Sequence, residues 1–164
     1  AQALKTDGTL WAWGVNNHGQ LGVPSIGTGD RSSPVQVAGT TWRSIPNNHG
    51  ATSVIQAYAT KTDGTLWSWG YSGVGELGQN TNAAARYSSP VQVAGTNWSS
   101  VISSGYNSAN IIKTDGTLWN WGQSNYGQGG HNNRTTYSSP KQIPGTTWHD
   151  ITSGNYHRIA IKRT

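Results

Sequence analysis

The decapeptide Lys-Thr-Asp-Gly-Thr-Leu-Trp-x-Trp-Gly occurs three times, at 5–14, 61–70 and 113–122. A chain that restates itself this closely folds as an array of equivalent units. Each copy is followed at similar distance by Ser-Ser-Pro-(Val/Lys)-Gln-(Val/Ile), at 32–37, 88–93 and 138–143, and then by Gly-Thr-(Thr/Asn)-Trp ending at Trp42, Trp98 and Trp148. A period of roughly 50 residues belongs to propellers and solenoids, where one supersecondary unit stacks on the next.

Composition limits what fills these units. Only 33% of the 164 residues are hydrophobic and 10% charged, values that would suggest disorder if nine Trp and seven Tyr were not so regularly placed. Those aromatics are the expected core. The chain contains no Phe, Met or Cys, which removes a disulfide framework, a thiol nucleophile and a cysteine metal site. It has no run of about 18 apolar residues of the kind that spans a membrane as a helix, and no charged-then-apolar leader precedes the first repeat. Without an initiator Met, the expectation is a processed chain or a piece of a larger one.

The net charge of +5 comes from 11 Lys and Arg against 6 acids. A phosphate-binding face needs clustered cations. Here Lys5, Lys61 and Lys113 each stand two residues from an Asp and the arginines are scattered through loops. Nucleic acid is therefore not an expected partner.

Within Thr9-Leu10-Trp11-Ala12-Trp13 the two Trp fall on one face and Leu10 with Ala12 on the other, the period of a strand packed on both sides. An Asp7-Gly8 turn joins it to a preceding strand over 1–5, and the hairpin recurs at Asp63-Gly64 and Asp115-Gly116, where Asp and Gly tolerate left-handed dihedrals. A further strand is expected to begin after Pro34, Pro90 and Pro140, since proline suits a strand start. Another starts at Trp42, Trp98 and Trp148. Four short antiparallel strands per repeat describe an all-β fold built of β-propeller blades.

The first repeat reads Asp7-Gly8, Leu10, Trp13-Gly14, Asn16, then Gly19-Gln20-Leu21-Gly22, and the last ends Gly154-Asn155-Tyr156-His157. This pattern resembles the regulator of chromosome condensation repeat family. Later repeats depart from it: Ser72 stands for the Asn and Glu76 for the Gln, while Ser124 and Gly129 replace Asn and Leu. The resemblance implies a seven-bladed propeller, with the Trp-led strand innermost in each blade and His157 hydrogen-bonding between blades. Counted that way, residues 1–164 supply thirteen strands grouped three, four, four and two, a partial propeller with incomplete blades at both ends. A segment of a longer repeat protein, several chains assembled into a ring, and a free-standing arc all fit that count.

Each group that offers chemistry has a plainer reading. The Trp pairs suit sugar stacking, yet their identical recurrence within strands is that of core. Asp7, Asp63 and Asp115 lack the several oxygen ligands calcium takes, and the turn already explains them. Gly-x-Gly elements such as Gly73-Val74-Gly75 precede no helix that would cradle phosphate. His18, His49, His131, His149 and His157 show no zinc spacing, and Asp150, Ser153 and the neighbouring histidines lack a nucleophile elbow. Neither a metal, a cofactor nor an enzymatic activity is expected.

Residues that differ between copies are the better guide to function, because what the fold demands is repeated. They fall in two sets of loops, one between the Trp-Gly strand and the proline strand, the other after the Trp-led strand. The candidate binding residues there are His49, Arg86, Tyr87, Tyr106, Arg134, Tyr137, Tyr156 and Arg158, and Tyr and Arg are the types that concentrate binding energy. The leading reading is a non-enzymatic scaffold for protein interaction or structural display, its partner either the rest of a longer chain or other copies. A second is a glycan- or cell-surface-binding module of a secreted or virion appendage protein, motivated by the Thr-, Ser-, Asn- and Gly-rich composition. A third, implied by the family's namesake, is nucleotide exchange on a small GTPase or chromatin binding. No insertion the size of a wedge-like hairpin is present to support exchange.

Overall fold

The computed structural model describes residues 1–46, 55–81 and 84–163. Strands β1 (Gln2–Leu4), β2 (Leu10–Gly14) and β3 (Arg31–Val37) form a first sheet in that order. The second holds β4 (Trp42–Ser44), β5 (Gln56–Lys61), β6 (Leu66–Ser72) and β7 (Ala85–Val93), and the third β8 (Trp98–Gly105), β9 (Ser108–Lys113), β10 (Leu118–Gly122) and β11 (Tyr137–Ile143). The fourth pairs β12 (Trp148–Ser153) with β13 (Arg158–Lys162). All pairings are antiparallel between sequence neighbours. The grouping of strands is the one the family resemblance implies, and successive sheets touch at β4 on β1, β8 on β5 and β12 on β8.

The Asp-Gly hairpins are three-residue turns rather than the tighter kind. Lys5 N donates to Thr9 O at 2.9 Å and Gly8 N to Lys5 O at 3.1 Å, with the left-handed φ confined to the glycine: 79° at Gly8, 78° at Gly64 and 78° at Gly116. The expected left-handed Asp is thus corrected. Its contribution is the side chain, which accepts from Thr9 N at 2.9 Å and Thr9 Oγ1 at 2.6 Å. Thr9 Oγ1 accepts in turn from the Trp11 indole at 2.9 Å, and the same relay recurs at Asp63–Thr65–Trp67 and Asp115–Thr117–Trp119. The threonine hydroxyl bond, then the amide bond, holds each of these carboxyls below the usual carboxylate range.

The proline strands also start earlier than expected. Pro34, Pro90 and Pro140 sit inside β3, β7 and β11, each at a break in register: Ala12 faces Val35 but Gly14 faces Arg31, and Ser68 faces Val91 but Gly70 faces Tyr87. A bulge on an outer strand asks for no ladder donor, so proline fits within the strand as well as before it.

Two kinds of aromatic contact build the core. Leu10, Leu66 and Leu118 are buried on one face of their strands, and on the other face Trp69 and Trp121, the second Trp of their pairs, reach the preceding sheet. Trp69 donates its indole N–H to Gln20 O at 3.0 Å, and Trp121 to Glu76 O at 2.9 Å. Both rings are 0% exposed. A Cβ on Gly22 would lie 2.6 Å from Trp69 Nε1, and one on Gly78 would lie 2.9 Å from Trp121 Nε1, so these glycines make room for the indoles. The first Trp of each pair is half-buried, and in the second and third sheets it is turned edge-on to the Trp of the leading strand, Trp67 to Trp42 and Trp119 to Trp98. Lys61 lies 4.9 Å from Trp42 and 4.1 Å from Trp67, and Lys113 is held likewise by Trp98 and Trp119. These lysines belong to the packing, their charge held against ring faces.

Candidate functional site

Antiparallel order sends the Asp-Gly hairpins to one end of the blades and the copy-variable loops to the other. Asp7, Asp63 and Asp115 therefore cluster away from Arg31, Arg86, Arg134 and Arg158. At the loop end the carboxylates of Asp30 and Glu76 are taken up by backbone: Asp30 accepts from Asn16 N at 2.9 Å, and Glu76 accepts from Gly73 N at 2.9 Å and Val74 N at 2.7 Å. Gln20 and Gln128 accept in the same manner from His18 N and Tyr126 N. Glu76 in place of the family's Gln thus keeps the role of acceptor. The loop end is left cationic, with Arg86 and Arg134 exposed.

On this end three tyrosines meet. Tyr106 comes from the β8–β9 turn, Tyr156 from the equivalent β12–β13 turn, and Tyr126 from the β10–β11 loop. Tyr156 stands at the centre, its ring centroid 5.9 Å from Tyr106 and 4.9 Å from Tyr126, both edge-on. All three are exposed, Tyr126 by 67%. Beneath them Arg158 donates to Gly154 O at 2.8 Å, to His157 O at 2.7 Å and to Ser108 Oγ across the boundary between sheets. Burial lowers its guanidinium to about 10. Ser103 and Ser153 complete that boundary with a hydroxyl–hydroxyl bond of 2.8 Å.

Of the candidate residues, Tyr106 and Tyr156 come together as a surface, and Arg158 supports them from below rather than facing a partner. The bonds across the blade boundary that were expected of His157 are carried by Arg158, while the His157 ring lies over Gly154. Arg86 and Tyr87 are on β7 and Tyr137 is on β11, in strand rather than loop, because those strands extend past the bulge. Tyr87 packs against the core between the first two sheets. Tyr137 meets His131 edge-on at 5.1 Å, and Asn133 Nδ2 donates to its hydroxyl at 3.3 Å. Burial, then nearby Lys141, lowers the His131 imidazole. His49 lies outside the described residues. Tyr126 was not among the candidates, yet it precedes the turn glycine at the position of His18 and Val74, and that variation marks it.

The family model for the regulator of chromosome condensation (RCC1) repeat matches residues 7–57, 63–109 and 115–161. The chain belongs to this family. Among its relatives, the Ultraviolet-B receptor UVR8 of Arabidopsis thaliana is 28% identical over 129 residues, covering 79% of this chain and 28% of that protein. The probable E3 ubiquitin-protein ligase HERC3 of Homo sapiens is 29% identical over 133 residues, covering 79% of this chain and 12% of that protein. The Protein RCC2 homolog of Danio rerio is 30% identical over 130 residues, with 79% and 25% covered. This RCC1-repeat chain therefore spans under a third of the length of each. The crystal structure of Prp20p from Saccharomyces cerevisiae superposes with a TM-score of 0.79 at 19% identity, covering 99% of this chain and 42% of that one. Human WBSCR16 gives 0.78 at 21%, covering 98% and 42%. The fold is that of RCC1 propeller blades.

Proposed function

We propose that the chain is a non-enzymatic interaction scaffold, a partial propeller whose loop end recognises a protein partner through Tyr106, Tyr126 and Tyr156. One observation carries this reading. Residues common to the repeats are consumed by hairpins, locks and Lys–Trp packing, whereas the copy-variable tyrosines form one contiguous exposed cluster on a cationic end. Exposed Tyr gives large, rigid contact area at low entropic cost, and the absence of an uncommitted carboxylate nearby among the described residues suits an acidic partner surface. Arg86, Arg134 and Tyr137 extend the same end. The Prp20p structure is described together with that protein's binding to Gsp1p and histones, which supports protein recognition as the general use of such a propeller. We place residues 1–164 within a larger ring, seven-bladed as in the family. The partial coverage of solved relatives favours this placement. Exposed tyrosine rings also suit sugar faces, so a glycan is the second reading.

The test replaces Tyr126 with a photo-crosslinking aromatic amino acid, with Thr65 on the opposite end as control, and then measures the affinity of the captured protein for the Tyr106→Ala, Tyr126→Ala and Tyr156→Ala variants. Capture only from position 126, with affinity lost in the variants, is the expected result. Equal capture from both ends overturns the scaffold reading. Binding on a glycan array that depends on the tyrosines, without protein capture, moves the assignment to carbohydrate.

A further inference from the structure

The oxidisable side chains of this protein are unevenly protected. The sequence holds no Cys and no Met, the residues that ordinarily take up oxidising equivalents, which leaves nine Trp and seven Tyr. The indoles are shielded. Trp69 and Trp121 are fully enclosed. A lysine ammonium stands over the ring of each of Trp11, Trp42, Trp67, Trp98, Trp119 and Trp148, at distances from 4.1 to 4.9 Å. A cation there opposes the positive charge that one-electron oxidation places on an indole. Trp13, the ninth, is half-buried. The tyrosines divide differently: Tyr58 is fully buried, Tyr71, Tyr87 and Tyr137 are half-buried, and the exposed ones are Tyr106, Tyr126 and Tyr156. Those three are also the tyrosines whose rings meet one another.

We propose that Tyr126 and Tyr156 are an oxidative cross-linking site, closing to dityrosine under a haem peroxidase supplied with hydrogen peroxide. Their ring centroids lie 4.9 Å apart with planes at 65°. Rotation about the side-chain bonds of two exposed residues brings the carbon ortho to one hydroxyl against its counterpart, a fast motion at a surface. Each phenol gives up one electron and its hydroxyl proton. The two phenoxyl radicals join through a new bond between ortho carbons, and the hydrogen displaced from each carbon returns to its own oxygen. The pair thus loses two electrons and two protons, which reduce one hydrogen peroxide to two waters. Tyr106, 5.9 Å from Tyr156, is the lesser partner. The bond ties the β10–β11 loop of the third sheet to the β12–β13 turn of the fourth, a covalent link between blades in a sequence that cannot form a disulfide. The ring pairing needs no partner protein, so this site stands apart from the recognition reading of the same face.

The experiment treats the purified protein with a haem peroxidase and hydrogen peroxide, digests it with trypsin and maps the peptides by mass spectrometry. Cleavage after Lys113, Arg134, Lys141 and Arg158 places Tyr126 in peptide 114–134 and Tyr156 in peptide 142–158. The expected product is these two peptides joined with the loss of two hydrogens, with dityrosine fluorescence whose yield per chain is unchanged on dilution. Tyr156→Phe abolishes the product, Tyr126→Phe moves what remains to Tyr106, and Tyr106→Phe leaves it in place. Phe keeps each ring without the phenol, and circular dichroism before oxidation checks the fold of every variant. Preferential linkage through other tyrosines, links between chains only, or oxidation confined to the indoles overturns the proposal.

Discussion

The indole nitrogen of Trp69 lies 3.0 Å from the carbonyl oxygen of Gln20, forty-nine residues earlier in the chain and one blade away. The equivalent bond from Trp121 to Glu76 repeats it, and between them these contacts carry the packing of blade on blade. Removing the Trp69 ring deletes a fully buried aromatic. Trp69→Ala is expected to cost about 3–5 kcal/mol. Gly22→Ala should destabilise as well, since its new methyl meets the indole in a backbone conformation that disfavours side chains. Chemical denaturation checks both, and a loss below about 1 kcal/mol for Trp69→Ala contradicts the core assignment.

Gly64→Ala and Gly8→Ala separate backbone strain from collision. Both place a side chain at left-handed φ, which costs about 1–2 kcal/mol. At Gly64 the new methyl approaches Asn97 N at 3.3 Å, a contact that relaxes with a small shift. At Gly8 it overlaps the Thr40 carbonyl oxygen, part of the backbone that leads into the second sheet. Gly8→Ala should therefore lower the denaturation midpoint more than Gly64→Ala, and the reverse order contradicts the turn geometry.

Acid should loosen the hairpins. Folding lowers the carboxyls of Asp7, Asp63 and Asp115, so the unfolded chain takes up protons first as pH falls. Their contribution is complete above the unfolded value near 3.8 and is lost as pH falls through the lower, folded value. Denaturation midpoints followed from neutral pH down through the carboxylate range should decline at the acid end. Replacing all three by Asn should flatten that decline.

Lys61 tests the ring-stacked cations. Lys61→Met keeps the aliphatic stem between Trp42 and Trp67 and removes the charge, and a loss of about 0.5–1 kcal/mol is expected. The same substitution at Lys141, 5.7 Å from a single Tyr137 ring, should cost less. Thermal melts of the two variants make the comparison.

Much of the architecture was legible because it was written three times. The Leu-Trp-x-Trp-Gly strand and its alternation follow from spacing, and the grouping of thirteen strands from the family resemblance that the repeats carry. Details set by side-chain geometry were not. Pro34 reads as a strand start until the register break opposite Gly14 shows a bulge around it. Lys61 stands two residues from Asp63 in sequence, yet it packs between two indoles, a direction spacing does not give. At the loop end, Tyr106 and Tyr156 were found by their variation between copies. Tyr126 varies as they do, with His18 and Val74 at its position, but its contact with Tyr156 on the next sheet is set by the packing of blade on blade and is invisible in sequence. Arg158 was recognised as special for the wrong reason, since its burial against Ser108 and Gly154 is invisible in sequence.

The most direct test of recognition by the loop end is the affinity of one captured partner for two triple variants of the chain. One carries Tyr106→Ala, Tyr126→Ala and Tyr156→Ala, and the other Asp7→Asn, Asp63→Asn and Asp115→Asn at the opposite end, each first shown to be folded by circular dichroism. Loss of binding of at least tenfold in the tyrosine variant, with affinity retained in the aspartate variant, is the predicted result, since three exposed rings at a contact are worth more than about 1.4 kcal/mol. Undiminished binding to the tyrosine variant contradicts the assignment of this face.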